Sequence, residues 1–251
     1  MKKIRLLFIV PVLLLSTVVL AQDVDSLIQQ ADALHEESRY TDVYNLLKKA
    51  EEFAPDNFEV VWRLARAHFD LSDNSEDPAT VEKHIRAGFT FAEKALEMNP
   101  NRAESHKWYG ILIGRVGEIE GTKQKIKNSY KVAEHTKKAI ELDPEDAANY
   151  HVMGRWHFTL ADLSWVERQV ASVIYAKPPQ ASFDKAKEYF QTAIDKDPAG
   201  IRNYVWLGKT EEQLGNKSAA RNAYQNALNQ SANSESDRNL QKEARELMSD
   251  L

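Results

Sequence analysis

No cysteine occurs anywhere in the 251 residues. That excludes thiolate nucleophiles, cysteine-held zinc and disulfides. A helical core of this size needs no such staples, so an oxidising compartment remains open. Glycine (9) and proline (8) are sparse, while Ala, Glu, Lys and Leu are plentiful, which favours helix over sheet. An excess of positive charge is missing as well. The formal charge is -5, and without the three cations of residues 1-21 it is -8. Such a chain repels phosphate on average, so no nucleic acid is expected as a partner.

Catalytic signatures are also absent. The seven histidines, His35, His68, His84, His106, His135, His151 and His157, include no His-Glu-x-x-His and no two at ligand spacing on one helical face. Nucleophile elbows, phosphate-cradling glycine loops and Ser-x-x-Lys are missing. Neither an enzyme, a metal site nor a cofactor is expected.

The N-terminus is distinctive. Lys2, Lys3 and Arg5 precede an apolar run from Leu6 to Leu20, broken by Pro11, and Val19-Leu20-Ala21 suits signal peptidase. The run falls short of the roughly 20 apolar residues that span a bilayer. Residues 1-21 read as a signal peptide cleaved after Ala21, giving an exported, periplasmic or secreted protein. The alternative is an N-terminal membrane anchor on a cytoplasmic protein. Residues 22-251 form the remaining domain.

That domain repeats. Lys49-Ala50-Glu51-Glu52-Phe53-Ala54-Pro55 recurs as Lys94 to Pro100, Lys138 to Pro144 and Thr192 to Pro198. Each is the end of an amphipathic helix stopped by proline. Tyr204, Leu207, Gly208, Gly215, Ala220, Tyr224 and Ala227 follow the tetratricopeptide pattern, and four earlier copies share its phase. The expected fold is all-α: a tetratricopeptide-like superhelix of helical hairpins, about five repeats with insertions, closed by a capping helix from about Asp237 to Met248. Proline spacings of 45, 44 and 54 exceed a unit of about 34. The insertions fall at a polar loop from Ser72 to Thr80, around Gly117 to Lys127, and from Asp162 to Ser182. Residues 164-176 of the last read as an amphipathic helix packed into the core through Trp165, Val166, Val170, Val173 and Ile174. Lys123, Lys125, Lys127, Lys131, Lys137 and Lys138 scatter around a solvated helix.

Lys107-Trp108-Tyr109-Gly110, Gly121-Thr122-Lys123-Gln124-Lys125-Ile126, His151-Val152-Met153-Gly154-Arg155-Trp156, and Trp165-Val166-Glu167-Arg168 running on to Tyr175-Ala176-Lys177-Pro178-Pro179 resemble the regulator of microtubule dynamics family. The resemblance covers roughly residues 25-230. It implies an all-helical tetratricopeptide-like bundle, association with microtubules and, in one animal branch, membrane contact sites and phospholipid binding.

In such repeats the first helix of each hairpin lines the concave surface. The common phase places Trp62, Arg66, Phe69, Lys107, His151, Arg155, Phe158, Arg202 and Lys209 there, with Ile111 and Val205, while the first copy offers Asp25, Ile28 and Asp32. A basic, aromatic groove in an acidic chain suits a protein or peptide partner of acidic character, a chain-terminal carboxylate or a phospholipid head group.

Overall fold

The computed structural model describes residues 12-174 and 180-251. The first half of the expected signal segment, residues 1-11, and the Tyr175 to Pro179 part of the family stretch lie outside them. Among the described residues there are helices and no strand. In chain order they are α1 (Val12–Glu36), α2 (Tyr40–Phe53), α3 (Phe58–Asp73), α4 (Pro78–Met98), α5 (Ala103–Glu120), α6 (Thr122–Leu142), α7 (Ala147–Ala161), α8 (Trp165–Ile174), α9 (Phe183–Lys196), α10 (Ile201–Gln213), α11 (Lys217–Asn229) and α12 (Glu235–Ser249). Antiparallel pairing gives five hairpins: α1 with α2, α3 with α4, α5 with α6, α7 with α9, and α10 with α11. Across the fifth hairpin lies α12, whose Ser234 and Asp237 form a reciprocal capping box.

The repeated phrase has one structural meaning. Ala50, Ala95, Ala139 and Ala193 are fully buried. Each carbonyl accepts the cap N–H of the residue four positions on, Ala54, Asn99, Asp143 and Asp197. The next residue is proline each time, so the helix cannot continue. Side-chain caps at Asn57, Asp77 and Asp146 start the helices that follow. Within a hairpin, glycine admits a ring from the partner helix. A Cβ on Gly208 would stand 2.3 Å from the Tyr224 ring, and one on Gly154 would stand 2.6 Å from Phe190. Both rings are fully buried. Apolar clusters join the first and second hairpins, the second and third, and the fifth with α12.

Three expectations are corrected. The first insertion is helix over more than half its length rather than loop, since α3 runs to Asp73 and α4 opens at Pro78, and in the second only Gly121, at φ +90, parts α5 from α6. The third contains the expected helix, α8, but not its expected packing. Trp165 is 73% exposed, Val166 62% and Val173 86%, while Ala171 faces inward. At 100° per residue Trp165, Val166 and Val173 lie on the side away from Ala171, so the contact Ala171 makes with the stack turns them outward. Finally, the lysines do not scatter. Lys123, Lys127, Lys131, Lys137 and Lys138 are all exposed on α6 within an arc of about 120°, and Lys125 turns inward. Helix α1 runs without interruption through Ala21 and Gln22. Among the described residues no helix is long and apolar enough to cross a membrane.

Candidate functional site: a central chamber

The superhelix curls until its ends meet. Arg202 at the start of α10 donates to Asp73 Oδ2 at the end of α3 (2.8 Å). Ser236 Oγ donates to the same oxygen (2.8 Å), and the Ser236 amide donates to Asn74 Oδ1 (3.0 Å). These contacts join residues more than 120 positions apart. The expected groove thereby becomes a chamber of about 650 Å³.

Its walls are the inner faces of α3, α5 and α7, one side of α6, the start of α10 and the residues leading into α12. Six of the nine expected residues line it: Arg66, Phe69, Lys107, His151, Arg155 and Arg202. The other three lie behind the wall. Trp62 sits beneath Arg63 and Arg66, with its indole N–H on Glu59. Phe158 packs edge-on against Phe183 and Trp206, and Lys209 lies over Trp206, paired with Glu243 of the capping helix. Because α12 covers the later turns of α10, only the first turn of that helix reaches the chamber. In the first copy, Asp25 is exposed, Ile28 is core, and Asp32 carries both Arg63 and Arg66.

The cations are not bare. Arg66 pairs with Asp32 (2.7 Å), Lys107 with Asp146 (2.6 Å), Arg155 with Glu118 (2.9 Å), Arg202 with Asp73 (2.8 Å) and Lys209 with Glu243 (2.6 Å). The sequence reading missed Arg115, which shares Glu118 with Arg155 (2.7 Å). Arg115, Arg155 and Arg202 therefore have two carboxylates between them as direct ion-pair partners, Glu118 and Asp73. Arg155 is enclosed by protein, yet 33% of its side-chain surface is free, because that surface faces the chamber. Burial pushes its guanidinium below the ordinary arginine value, and Arg115 and Arg202 add to this against Glu118. Burial is the largest influence on Arg202 and opposes its charge, but Asp73, with Asp237 and Asp70, together outweigh it and the value rises. Asp73 is held low in spite of its burial, by Arg202 and the Ser236 hydroxyl. His151 donates through Nδ1 to Asn203 Oδ1 (2.7 Å). Its burial, helped by Arg202 and Arg155, drives its value well below 6.5, so it is neutral.

Four buried N–H donors in this wall have no acceptor: Nε of Arg66, Arg115 and Arg155, and Nε1 of Trp108. Buried donors are seldom left unpaired, and these four cluster around one chamber. Phe69, Trp108, Ile111, Val152, Trp156 and Leu160 supply the apolar part of the lining. Arg115, Glu118 and Asp73 were within reach of sequence reasoning. They continue the inner stripe at helical spacing, Lys107-Ile111-Arg115-Glu118 and Arg66-Phe69-Asp73, once the insertions are taken as longer helices. Among the described residues no three His, Asp or Glu side chains gather as a metal site.

Comparison with known proteins places the chain. The family model for Regulator of microtubule dynamics protein 1-3 matches residues 27–251. Regulator of microtubule dynamics protein 1 of Bos taurus is 38% identical over 228 residues, 90% of this chain and 71% of the relative. Regulator of microtubule dynamics protein 3 of Xenopus laevis is 35% identical over 202 residues, 79% of this chain and 44% of the relative. A thermophilic TPR protein of Thermus thermophilus superposes with a TM-score of 0.66 at 14% identity, covering 90% of this chain and 98% of that one. That likeness shows the fold.

Proposed function

The chain belongs to the regulator of microtubule dynamics family, and from that premise we propose that it is a non-enzymatic binding module whose central chamber holds the acidic end of a protein or peptide partner. The observation that carries this reading is the convergence of Arg115, Arg155 and Arg202 on one chamber, where Glu118 and Asp73 are their direct ion-pair partners and Asp70 and Asp237 lie within electrostatic reach of Arg202. The free carboxylate at the end of a chain joins this network through charge-assisted hydrogen bonds. The side chains preceding it rest on Trp108, Trp156 and Val152. A chamber of about 650 Å³ falls within the range of sites that bury small ligands, so it takes a chain end rather than a long threaded segment.

Calorimetric titration with a short peptide ending in a free carboxylate, and with its amide, tests this. Saturable binding of the acid is expected, with the amide at least about tenfold weaker and Arg155→Gln losing a comparable factor. Equal binding of acid and amide overturns the reading.

A second reading is favoured by the apolar wall: the same arginines take the phosphate of a phospholipid whose acyl chain lies along it. Mass spectrometry of an organic extract of the purified protein separates the two, since a co-purifying phospholipid replaces the peptide as ligand. The names of the relatives supply the cellular setting we propose, regulation of microtubule dynamics. Co-sedimentation with polymerised tubulin tests it. Residues 1-21 are proposed as an export signal or an N-terminal anchor. A purified chain starting at Gln22 supports the first, and one starting at Met1 the second.

A further inference from the structure

The seam where the two ends of the superhelix meet is fastened by polar groups. Among the described residues none of the three apolar clusters spans it. What crosses it are the hydrogen bonds of Arg202 and the Ser236 hydroxyl to Asp73, and of the Ser236 amide to Asn74. The residues leading into α12 also have space on both sides. One side is the chamber, and the other is a polar hollow of about 330 Å³ lined also by Ser38, Thr41 and Arg238. Asn74, Asn233 and Ser234 border both spaces. Polar contacts next to open space part more readily than packed apolar ones, since water satisfies the groups they release.

Asp73 and Arg202 both stand in the chamber wall. The guanidinium gives Nη2 to Asp73, while 37% of its side-chain surface stays accessible. A carboxylate entering the chamber therefore meets a guanidinium that already carries one. Glu118 is in a different position. It pairs with Arg115 three residues away on α5, so sharing it moves no helix against another. Asp73 comes from α3 and cannot leave Arg202 of α10 without loosening the seam. Asp70 and Asp237 lie within electrostatic reach of Arg202 as well. A further carboxylate there is repelled by those already present, and it competes with Asp73 for the one cation.

We propose that Asp73 is an internal placeholder on Arg202, and that the free carboxylate of a partner's chain end takes its place and releases the seam. The inference rests on the chain-end reading of the chamber. The contact is autoinhibitory, because part of the binding free energy goes into parting Asp73 from Arg202. Such coupling is reciprocal: whatever loosens the seam tightens binding, and binding loosens the seam. A ligand that merely filled the chamber would do the opposite and steady its walls.

The test is calorimetric titration of the full chain with the short peptide acid and its amide, joined to hydrogen exchange at the Ser236 amide, which donates across the seam. Asp73→Asn should bind the acid about tenfold tighter than the parent does, with the amide changed by less than about twofold. Ser236→Ala keeps every charge and removes one hydrogen bond, and it should tighten acid binding about threefold. Asp70→Asn removes a nearby charge that is not bonded to Arg202, and it should gain less than Asp73→Asn. In an Arg202→Gln background Asp73→Asn should bring no gain, because the competition then has no object. Saturating acid should speed exchange at Ser236 in the parent severalfold. The proposal is overturned if Asp73→Asn and Ser236→Ala bind the acid no tighter than the parent, or if the acid slows exchange at Ser236. Acid bound equally by the parent and Asp73→Asn removes this inference and leaves the chain-end reading standing. Acid bound by neither removes both.

Discussion

Between successive helices the chain sets alanine and glycine against rings, whereas between its third helix and its last it sets carboxylate against guanidinium and hydroxyl. The first kind of seam recurs at Gly154 with Phe190 and at Gly208 with Tyr224. The second joins distant parts of the chain where Asp73 meets Arg202 and Ser236. Apolar seams gain from every area of contact they bury and have no geometry to satisfy beyond shape. The polar seam contributes little net energy, because its charges give up hydration to meet. What it determines is the shape of the interior, since it turns a groove into a chamber. The backbone course is therefore set by the first kind of seam and the binding space by the second.

The largest effect is expected at the apolar seams. Gly208→Ala places a methyl 2.3 Å from the Tyr224 ring, and a packed ring has nowhere to go. A loss of about 3 kcal/mol in urea unfolding is expected, with a similar loss for Gly154→Ala. Gly114→Ala sharpens the point. Its Cβ would meet only Val132, at 3.4 Å, so the gain in helix propensity should leave stability level or raise it by about 0.5 kcal/mol. Equal losses at all three positions would show that glycine matters here for some reason other than close approach.

Next comes the polar seam. Asp73→Asn removes the ion-pair partner of Arg202 and leaves it only the more distant Asp70 and Asp237. The cost is held to about 2 kcal/mol because the guanidinium still faces the chamber. Amides at the start of α12 should exchange faster while those of α2 keep their protection, and small-angle scattering should show a wider particle. If α12 stays fully protected, the chamber is closed by the apolar packing of α12 on α10 and α11, and the comparison fails.

The same contrast explains what could be read in advance. The repeat, its phase, the five hairpins and the cap were legible because Ala50, Ala95, Ala139 and Ala193 and the prolines behind them serve local helix chemistry, which recurs with the sequence. Inner positions such as Arg155 and Arg202 were legible for the same reason. Their partners were not. Nothing within α10 announces Asp73, which lies 129 residues away, and Glu118 sits just past Gly117, where the second insertion was expected to begin. The histidines show the limit from another side. His68 meets His84, and His106 meets His135, each Nδ1 to Nδ1 at 2.9 Å. No spacing along one helix could show contacts that form between two.

Acid should act on the interior between these extremes. Burial, with His84 and nearby lysines, pushes His68 down to about 4, and burial with Lys137 and Lys185 does the same for His157 against the pull of Glu188. Both folded values lie below the ordinary 6.5. Their stabilising share is therefore complete above that value and is lost as pH falls from 6.5 towards 4. In the His106 pair, Nε2–H donates to the Pro100 carbonyl, which leaves Nδ1 to accept from His135. Thermal melts should decline from neutral pH to about pH 5, by about 1 kcal/mol for each of His68 and His157. His68→Phe should flatten part of that decline, and an unchanged slope in that variant would remove His68 from the account.

The smallest effect on stability belongs to α8, where neither kind of seam is at work. Trp165 and Val173 cover no core, so Trp165→Ser with Val173→Ser should move the stability by less than about 0.5 kcal/mol, as surface changes do. Ala171, on the opposite face of the same helix, is 2% exposed. Ala171→Asp would bury a charge without a partner, and it should free α8 from α6 at a cost of about 2 kcal/mol. Hydrogen exchange along α8 reads both variants. The outer one should leave protection intact, and the inner one should remove it. If the outer pair proved as costly as Ala171, the exposed face would already be covered within the folded chain. The side chains of α8 would then have to be counted with the apolar seams rather than with the exposed surface.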